Sequence, residues 1–205
     1  MSRKEFFQTI ETSGTATFKD RGSRFLAYAF PLTDLADFKE KIATLKKEHP
    51  KANHICFAYR LGTDETQFRV SDAGEPSGTA GRPILGQIDS RGLTDILVVV
   101  VRYFGGTLLG VPGLINAYKS AASLVLQVIP IVRKPVLEFY EVQFDYTKMN
   151  EVMLIVRQTG CVIRKQDLQL FCLLDLGIPL SKLTEVLYRF AELRDVTLQP
   201  VKDRS

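Results

Sequence analysis

Apolar and polar side chains alternate from Thr15 to Phe30 on both sides of Asp20-Arg21-Gly22-Ser23, and this period of two predicts a β-hairpin turning on those four residues. Leu35, Phe38, Ile42 and Leu45 then recur at helical spacing. Residues 32–49 are therefore expected to form the first helix, capped by Thr33 or Asp34 and stopped by Pro50. Lys46, Lys47 and His49 suit the negative end of its dipole, and His49 reads as a surface residue there. From Asn53 to Leu61 the period returns to two, with Ile55, Phe57, Tyr59 and Leu61 on one face and His54, Cys56, Ala58 and Arg60 on the other. Residues 62–66 read as a turn, and Gln67 to Val70 as the returning strand. Pro83 suits the first turn of a short helix ending near Gly92. After Asp95 the chain is apolar without a break to Val101, as expected of a strand covered on both faces and closed by Arg102. A helix from about Pro112 to Val128 follows, with Leu114, Ala117, Tyr118, Ala121, Ala122, Val125 and Leu126 at helical spacing.

Pro130 and Pro135 bracket Ile131-Val132-Arg133-Lys134, which reads as a domain boundary. Beyond it a second complete pattern begins. A strand over 136–146 leads to a helix over 148–159, ended by Gly160. A hairpin of 161–165 and 168–176 then turns on Gln166-Asp167. A helix over 181–193, capped by Ser181, precedes a last strand over 196–201. The order βαββαβ is the ferredoxin-like unit. The expected class is α+β in two domains, residues 1–133 and 136–205.

The chemistry gathers elsewhere. Ser71 to Gly113 holds nine of the chain's 14 glycines, clustered on both sides of the apolar strand, where two Gly-rich loops flank it. A strand, an arginine, a Gly-rich loop and a helix N-terminus make an arrangement that binds anions, because unpaired N–H groups and the positive end of the dipole favour phosphate. The loop is neither a P-loop nor a G-x-G-x-x-G fingerprint. Arg102, Gly105, Gly106 and Gly110 are thus candidate anion or nucleic-acid contacts, with charge added by Arg82 and by Lys19, Arg21 and Arg24 at the hairpin turn. In the first loop, Asp72, Glu75, Ser77 and Thr79 form a possible ligand loop, although such residues also build turns and caps. A serine hydrolase is not indicated: the chain has only two histidines and no Gly-x-Ser-x-Gly. His54 reads as a packed or hydrogen-bonded residue. With no second ligand at metal spacing, neither metal nor cofactor is expected.

Composition narrows this further. The chain has 205 residues, 45% hydrophobic and 24% charged, enough for a sizeable core. No apolar run approaches the ~20 residues of a membrane span, and Glu5 and Glu11 interrupt the N-terminus where a signal peptide would be apolar. Three cysteines without CxxC spacing fit a reducing cytoplasm. Residues 1–135 hold 18 Lys and Arg against 13 Asp and Glu, while residues 136–205 hold 9 against 10, so the basic excess lies in the first domain. Such an excess permits a polyanionic partner without demanding one.

The segments DAGEPSGTAGRPIL (72–85) and VVVVRYFGGTLLGVPGLINAY (98–118) resemble the signature of the YigZ/IMPACT family, with further matches in RGSRFLAYAFPL (21–32) and HICFAYRLG (54–62). The resemblance covers nearly the whole chain. Where members often carry an arginine at the start of the long helix, this chain has Pro112-Gly113-Leu114-Ile115-Asn116, which removes one phosphate contact there. The resemblance implies a first domain similar to the second domain of a small-subunit ribosomal protein and a second similar to the last domain of elongation factor G. Both point to RNA or translation. It also implies a protein–protein role, since eukaryotic members bind a regulator of a translation-initiation kinase. It transfers no catalytic residues. The expectation is a non-enzymatic cytoplasmic protein contacting RNA or the ribosome through its first domain. The alternatives are a protein–protein regulator using the Gly-rich face and an enzyme acting on a small phosphorylated substrate at the Asp72–Gly81 loop.

Overall fold

The structure, a computed structural model, describes residues 4–63 and 66–201. They form two compact units, residues 7–134 and residues 135–201 with residues 4–6. Asp64 and Glu65, in the turn expected over 62–66, lie outside the described residues, as do residues 1–3 and 202–205.

The first unit is built on strands β1 (Phe6–Ile10), β2 (Gly14–Asp20) and β3 (Ser23–Pro31), helix α1 (Leu35–Glu48), strands β4 (His54–Leu61) and β5 (Gln67–Ser71), helix α2 (Gly81–Asp89), strand β6 (Ile96–Tyr103), helix α3 (Gly110–Gln127) and strand β7 (Ile131–Pro135). Five strands make one antiparallel sheet in the order β2-β3-β6-β4-β5. The apolar run is therefore the central strand β6, and Ile96 to Val101 are all fully buried. Burial on both faces arises here in an antiparallel sheet, because helices cover it from both sides.

Registry decides which residues meet. Residues opposite one another in an antiparallel pair share a face. On one face the rows are Phe25–Arg102–His54, Ala27–Val100–Cys56 and Ala29–Val98–Ala58. These small side chains let α3 approach closely with its own Ala117, Ala121 and Ala122. On the other face Val99 and Leu97 lie between Phe57 and Tyr59 of β4 and Tyr28 and Phe30 of β3, under Phe38 and Leu45 of α1. Helix α1 begins at Leu35, later than Leu32, because the Asp34 carboxylate caps it by accepting the N–H groups of Ala36 and Asp37. His49 is half-buried rather than a bare surface residue: its ring bridges the hydroxyls of Tyr28 and Tyr103, each at 2.8 Å.

Ile131-Val132-Arg133-Lys134 belongs to strand β7, which pairs with β1 in a two-stranded ribbon, and the two units divide directly after these four residues, between Lys134 and Pro135. Helix α3 begins at Gly110, two residues before Pro112, with Leu109 as its cap.

In the second unit, strands β8 (Leu137–Asp145), β9 (Val162–Leu168), β10 (Phe171–Pro179) and β11 (Val196–Pro200) form an antiparallel sheet in the order β11-β8-β10-β9. Helix α4 (Met149–Thr159) follows β8, and α5 (Leu183–Ala191) precedes β11, so the order is the expected βαββαβ. Val142, Phe144, Leu174 and Leu176 pack on Val152, Ile155, Val186 and Phe190. The hairpin turns at Gln169-Leu170, not at Gln166-Asp167, which pair with Leu174 and Leu173 inside the ladder. Ser181 is not a cap, because a single 3-10 turn, Leu180–Lys182, leads into α5. No helix among the described residues is long and apolar enough to cross a membrane.

Candidate functional site

Asp72 organises the first Gly-rich loop. Its carboxylate accepts the N–H of Gly78 at 2.8 Å, of Ala80 at 3.0 Å and of Gly81 at 2.8 Å. The last two open α2, so the chain's own carboxylate occupies that helix N-terminus. Thr79 is buried and donates to the Pro76 carbonyl at 2.7 Å. Ser77 is exposed. Partial burial pushes the Asp72 carboxyl up, but the N–H donors of Gly78, Gly81 and Ala80 and the charge of Arg82 outweigh it, so the group ends below its ordinary 3.8. A depressed carboxyl contributes stability that is complete above its unfolded pKa, near 4, and is lost as pH falls through the lower folded value. Asp72→Asn is expected to cost about 1–2 kcal/mol at pH 7. The gap from wild type should narrow when urea unfolding is repeated near pH 3.

Glu75 lies beneath this loop with its side chain only 3% exposed. Its Oε1 accepts from Arg102 Nη1 at 2.7 Å and from the Tyr118 hydroxyl at 2.7 Å, and His54 Nε2 stands 3.8 Å away. Burying a charge is costly unless it is paired and hydrogen-bonded, and this cluster meets that requirement from three different elements. Cys56 completes the layer, its Sγ 3.0 Å from the Asp72 carbonyl and 3.4 Å from the Tyr118 hydroxyl. Burial pushes this thiol up to about 12 and the Tyr118 hydroxyl above its ordinary 10.0, so both stay protonated at neutral pH. A buried thiol of that kind is a poor nucleophile.

Arg102 is therefore inside the fold, between the rings of Phe25 and Phe104 at 5.4 Å and 5.6 Å. Its Nη2 is 3.5 Å from Ser23 Oγ, which also accepts the Gly105 N–H at 3.2 Å. The Asn53 side-chain oxygen accepts the Phe104 N–H at 2.8 Å. These bonds hold the second Gly-rich loop against the hairpin turn of β2 and β3. That turn has positive φ at both central residues, Arg21 at 44° and Gly22 at 78°, as a type I′ hairpin demands. A Cβ on Gly22 would stand 2.8 Å from the Gly105 carbonyl oxygen, and one on Gly105 would overlap the Gly22 and Ser23 backbone. The two backbones touch because neither position carries a side chain.

The fold thus gathers several of the residues singled out from sequence. Lys19 and Arg24 face each other across the hairpin, Arg21 stands at its tip, and all three are exposed beside the Gly105 loop. The Arg24 guanidinium lies 5.2 Å over the Tyr103 ring. Gly106 is open on its Cβ side, and Gly110 starts α3. Arg82 is exposed on the first turn of α2. A cavity of 480 Å³ opens at the start of α3, with Asn53, His54, Glu75 and Arg102 as its polar lining and Phe104, Leu108 and Val111 among the apolar residues. His54, Asn53 and Tyr118 belong to this site although sequence reasoning did not assign them to it. The signal available for Tyr118 was its place on the buried face of a helix, where a phenol needs a partner. Among the described residues no group of three or more His, Cys, Asp and Glu is arranged to hold a metal ion.

Residues 21–126 match the family model of the Impact N-terminal domain. The chain is similar to the IMPACT family member YigZ of Escherichia coli K12, 35% identical over 179 residues, which cover 86% of this chain and 88% of that protein. It is also similar to a crystal structure of a hypothetical protein, at 31% identity and a TM-score of 0.76, over 98% of this chain and 100% of that one. A structure described as the two-domain translational regulator Yih1 matches at 28% identity over 57% of this chain and 45% of that one, with a TM-score of 0.37.

Proposed function

The chain belongs to the IMPACT family, and from that premise we propose that it is a non-enzymatic binding protein linked to translation, contacting RNA or the ribosome through residues 7–134. The family resemblance supplies the link to translation. The observation that carries the RNA contact is the packing of Gly22 on Gly105. It sets the cationic turn of Lys19, Arg21 and Arg24, with Lys19 and Arg24 on the Tyr103 face of the sheet, against the loop that carries the exposed Phe104 ring and leads into α3. Cations attract the phosphate backbone, an open helix N-terminus accepts a phosphate, and an exposed ring gives a base something to stack on. Arg102 supports this face from beneath, its charge already answered by Glu75.

The test is co-sedimentation with ribosomes and with total RNA over a salt series, for wild type and for Lys19→Gln/Arg21→Asn/Arg24→Gln. Asn is chosen at position 21 because it tolerates positive φ. Wild type is expected to bind at low salt and release as salt rises, and the variant to lose about 2–3 from the slope of log affinity against log salt. Identical affinities for the two proteins at every salt would sink the hairpin's role.

One observation favours a second reading. Leu108, Val111 and Ile115 are exposed at 82%, 51% and 39% along the start of α3, an apolar strip of the kind proteins present to proteins. Absence of RNA and ribosome binding at low salt would favour that reading, with Leu108→Ser expected to break the protein contact.

A further inference from the structure

We propose that the cavity between the N-terminus of α3 and the Phe104 loop receives a single unstacked nucleotide, its base against Phe104 above the Arg102 floor and its phosphate on the first turn of α3. For its RNA source this rests on the reading above, while the pocket itself stands on geometry. The volume, 480 Å³, lies in the range of small-ligand pockets. Its floor is polar and incompletely satisfied. The Arg102 side chain is only 6% exposed, yet its Nε–H is buried without an acceptor. Buried donors in this position are rare and ask for a partner. His54 Nδ1 donates to the Ala73 carbonyl at 3.0 Å, which fixes the ring with Nε2 on the side of Glu75, 3.8 Å from its Oε1. The Asn53 oxygen is taken by the Phe104 N–H, which leaves its amide NH2 as a donor.

Donors of Arg102 and Asn53 and the Glu75 carboxylate at the floor, with Phe104, Leu108 and Val111 around them, suit a flat heterocycle with a polar edge. An aliphatic side chain would leave that floor unanswered. The helix supplies the other half of the ligand. Leu109 caps α3 without a side-chain bond, and its first turn holds no acidic residue. Asp72 fills the corresponding place on α2, whereas Gly110 and Val111, at the start of α3, line the cavity with no carboxylate of the chain on them. A planar heterocycle joined to a phosphate is a nucleotide. It comes either as a free 5′-monophosphate or as one splayed residue of single-stranded RNA.

The full chain is titrated with AMP, GMP, CMP and UMP, with inorganic phosphate, and with short single-stranded RNA oligomers of mixed sequence. Phe104→Ala and Val111→Asp are titrated alongside. An aspartate at Val111 suits the helix N-terminus and keeps α3 intact, but it repels a phosphate. The expected result is saturable one-to-one binding of at least one nucleotide, tighter than phosphate alone and weakened about 10-fold or more by each substitution. The same nucleotide should displace the RNA oligomer. A monophosphate that binds and responds to both variants, with no RNA binding, supports the pocket, assigns it to free nucleotides and removes the RNA reading. RNA binding that neither substitution weakens and no nucleotide displaces overturns the pocket while leaving the RNA reading in place. Absence of both overturns both.

Discussion

Arg102→Ala is expected to lower the stability of residues 7–134 by about 3–5 kcal/mol, a large share of the 5–15 kcal/mol that holds a typical domain together. Removing the guanidinium leaves the Glu75 carboxylate, 3% exposed, with the Tyr118 hydroxyl as its one remaining close donor. It also removes the cation between the Phe25 and Phe104 rings and opens a cavity below the Gly-rich loop. Glu75→Gln should cost a similar amount for the opposite reason, since it leaves the buried cation unanswered. The coupling separates these effects from simple truncation. Arg102→Met combined with Glu75→Leu, which removes both charges and fills the space, should be much more stable than the sum of the single losses predicts. The chain has no Trp, so urea unfolding is followed by far-UV circular dichroism, with attention to the transition of the first unit. Single losses below about 1 kcal/mol would mean that the ion pair is solvated and the network not built as described. A fold-breaking substitution cannot locate a binding site, so the RNA test uses the exposed hairpin cations rather than Arg102.

The limits of sequence reading follow the same divide between local and long-range information. The hairpin turn was legible because Arg21-Gly22 is a local signal with local consequences. The βαββαβ order was legible because each element carries its own period. Strand β1 was not. Phe6–Ile10 is five residues long, and it becomes a strand by pairing with β7, more than 120 residues away. The turn at Gln169-Leu170 was hidden by an apolar residue, Leu170, exposed at 71%. Polar Gln166 and Asp167 looked more turn-like but lie on a solvent-exposed edge strand. Arg102 was legible as the residue that closes the apolar strand. Its partner was not, because Glu75 lies 27 positions earlier in a loop whose path is set by Asp72 and three backbone N–H groups. The glycines were read as exposure for a ligand. Gly105 instead serves a backbone-on-backbone contact, and that contact brings the cationic turn to the loop.

Gly105→Ala therefore tests both fold and function. A Cβ there meets the carbonyl carbon and oxygen of Gly22 and the nitrogen of Ser23, all backbone atoms, so no rotamer change relieves the overlap. The hairpin turn must move off the loop, breaking the Gly105 N–H bond to Ser23 Oγ and disturbing the Arg102 contact to the same oxygen. The expected loss is about 3 kcal/mol or more, at the upper end of what overpacking costs, because the obstacle is main chain. Gly86→Ala is the control. Gly86 sits within α2 with nothing near its Cβ position, so alanine there should stabilise by about 0.5–1 kcal/mol through helix propensity. If the protein still folds, Gly105→Ala should also flatten the salt dependence of RNA binding, because Lys19, Arg21 and Arg24 move with the turn away from the Gly105 loop. Unchanged stability would show that the turn and loop are not in contact. Lost stability with an unchanged salt slope would show that the cations act without the loop, leaving the packing as structure alone.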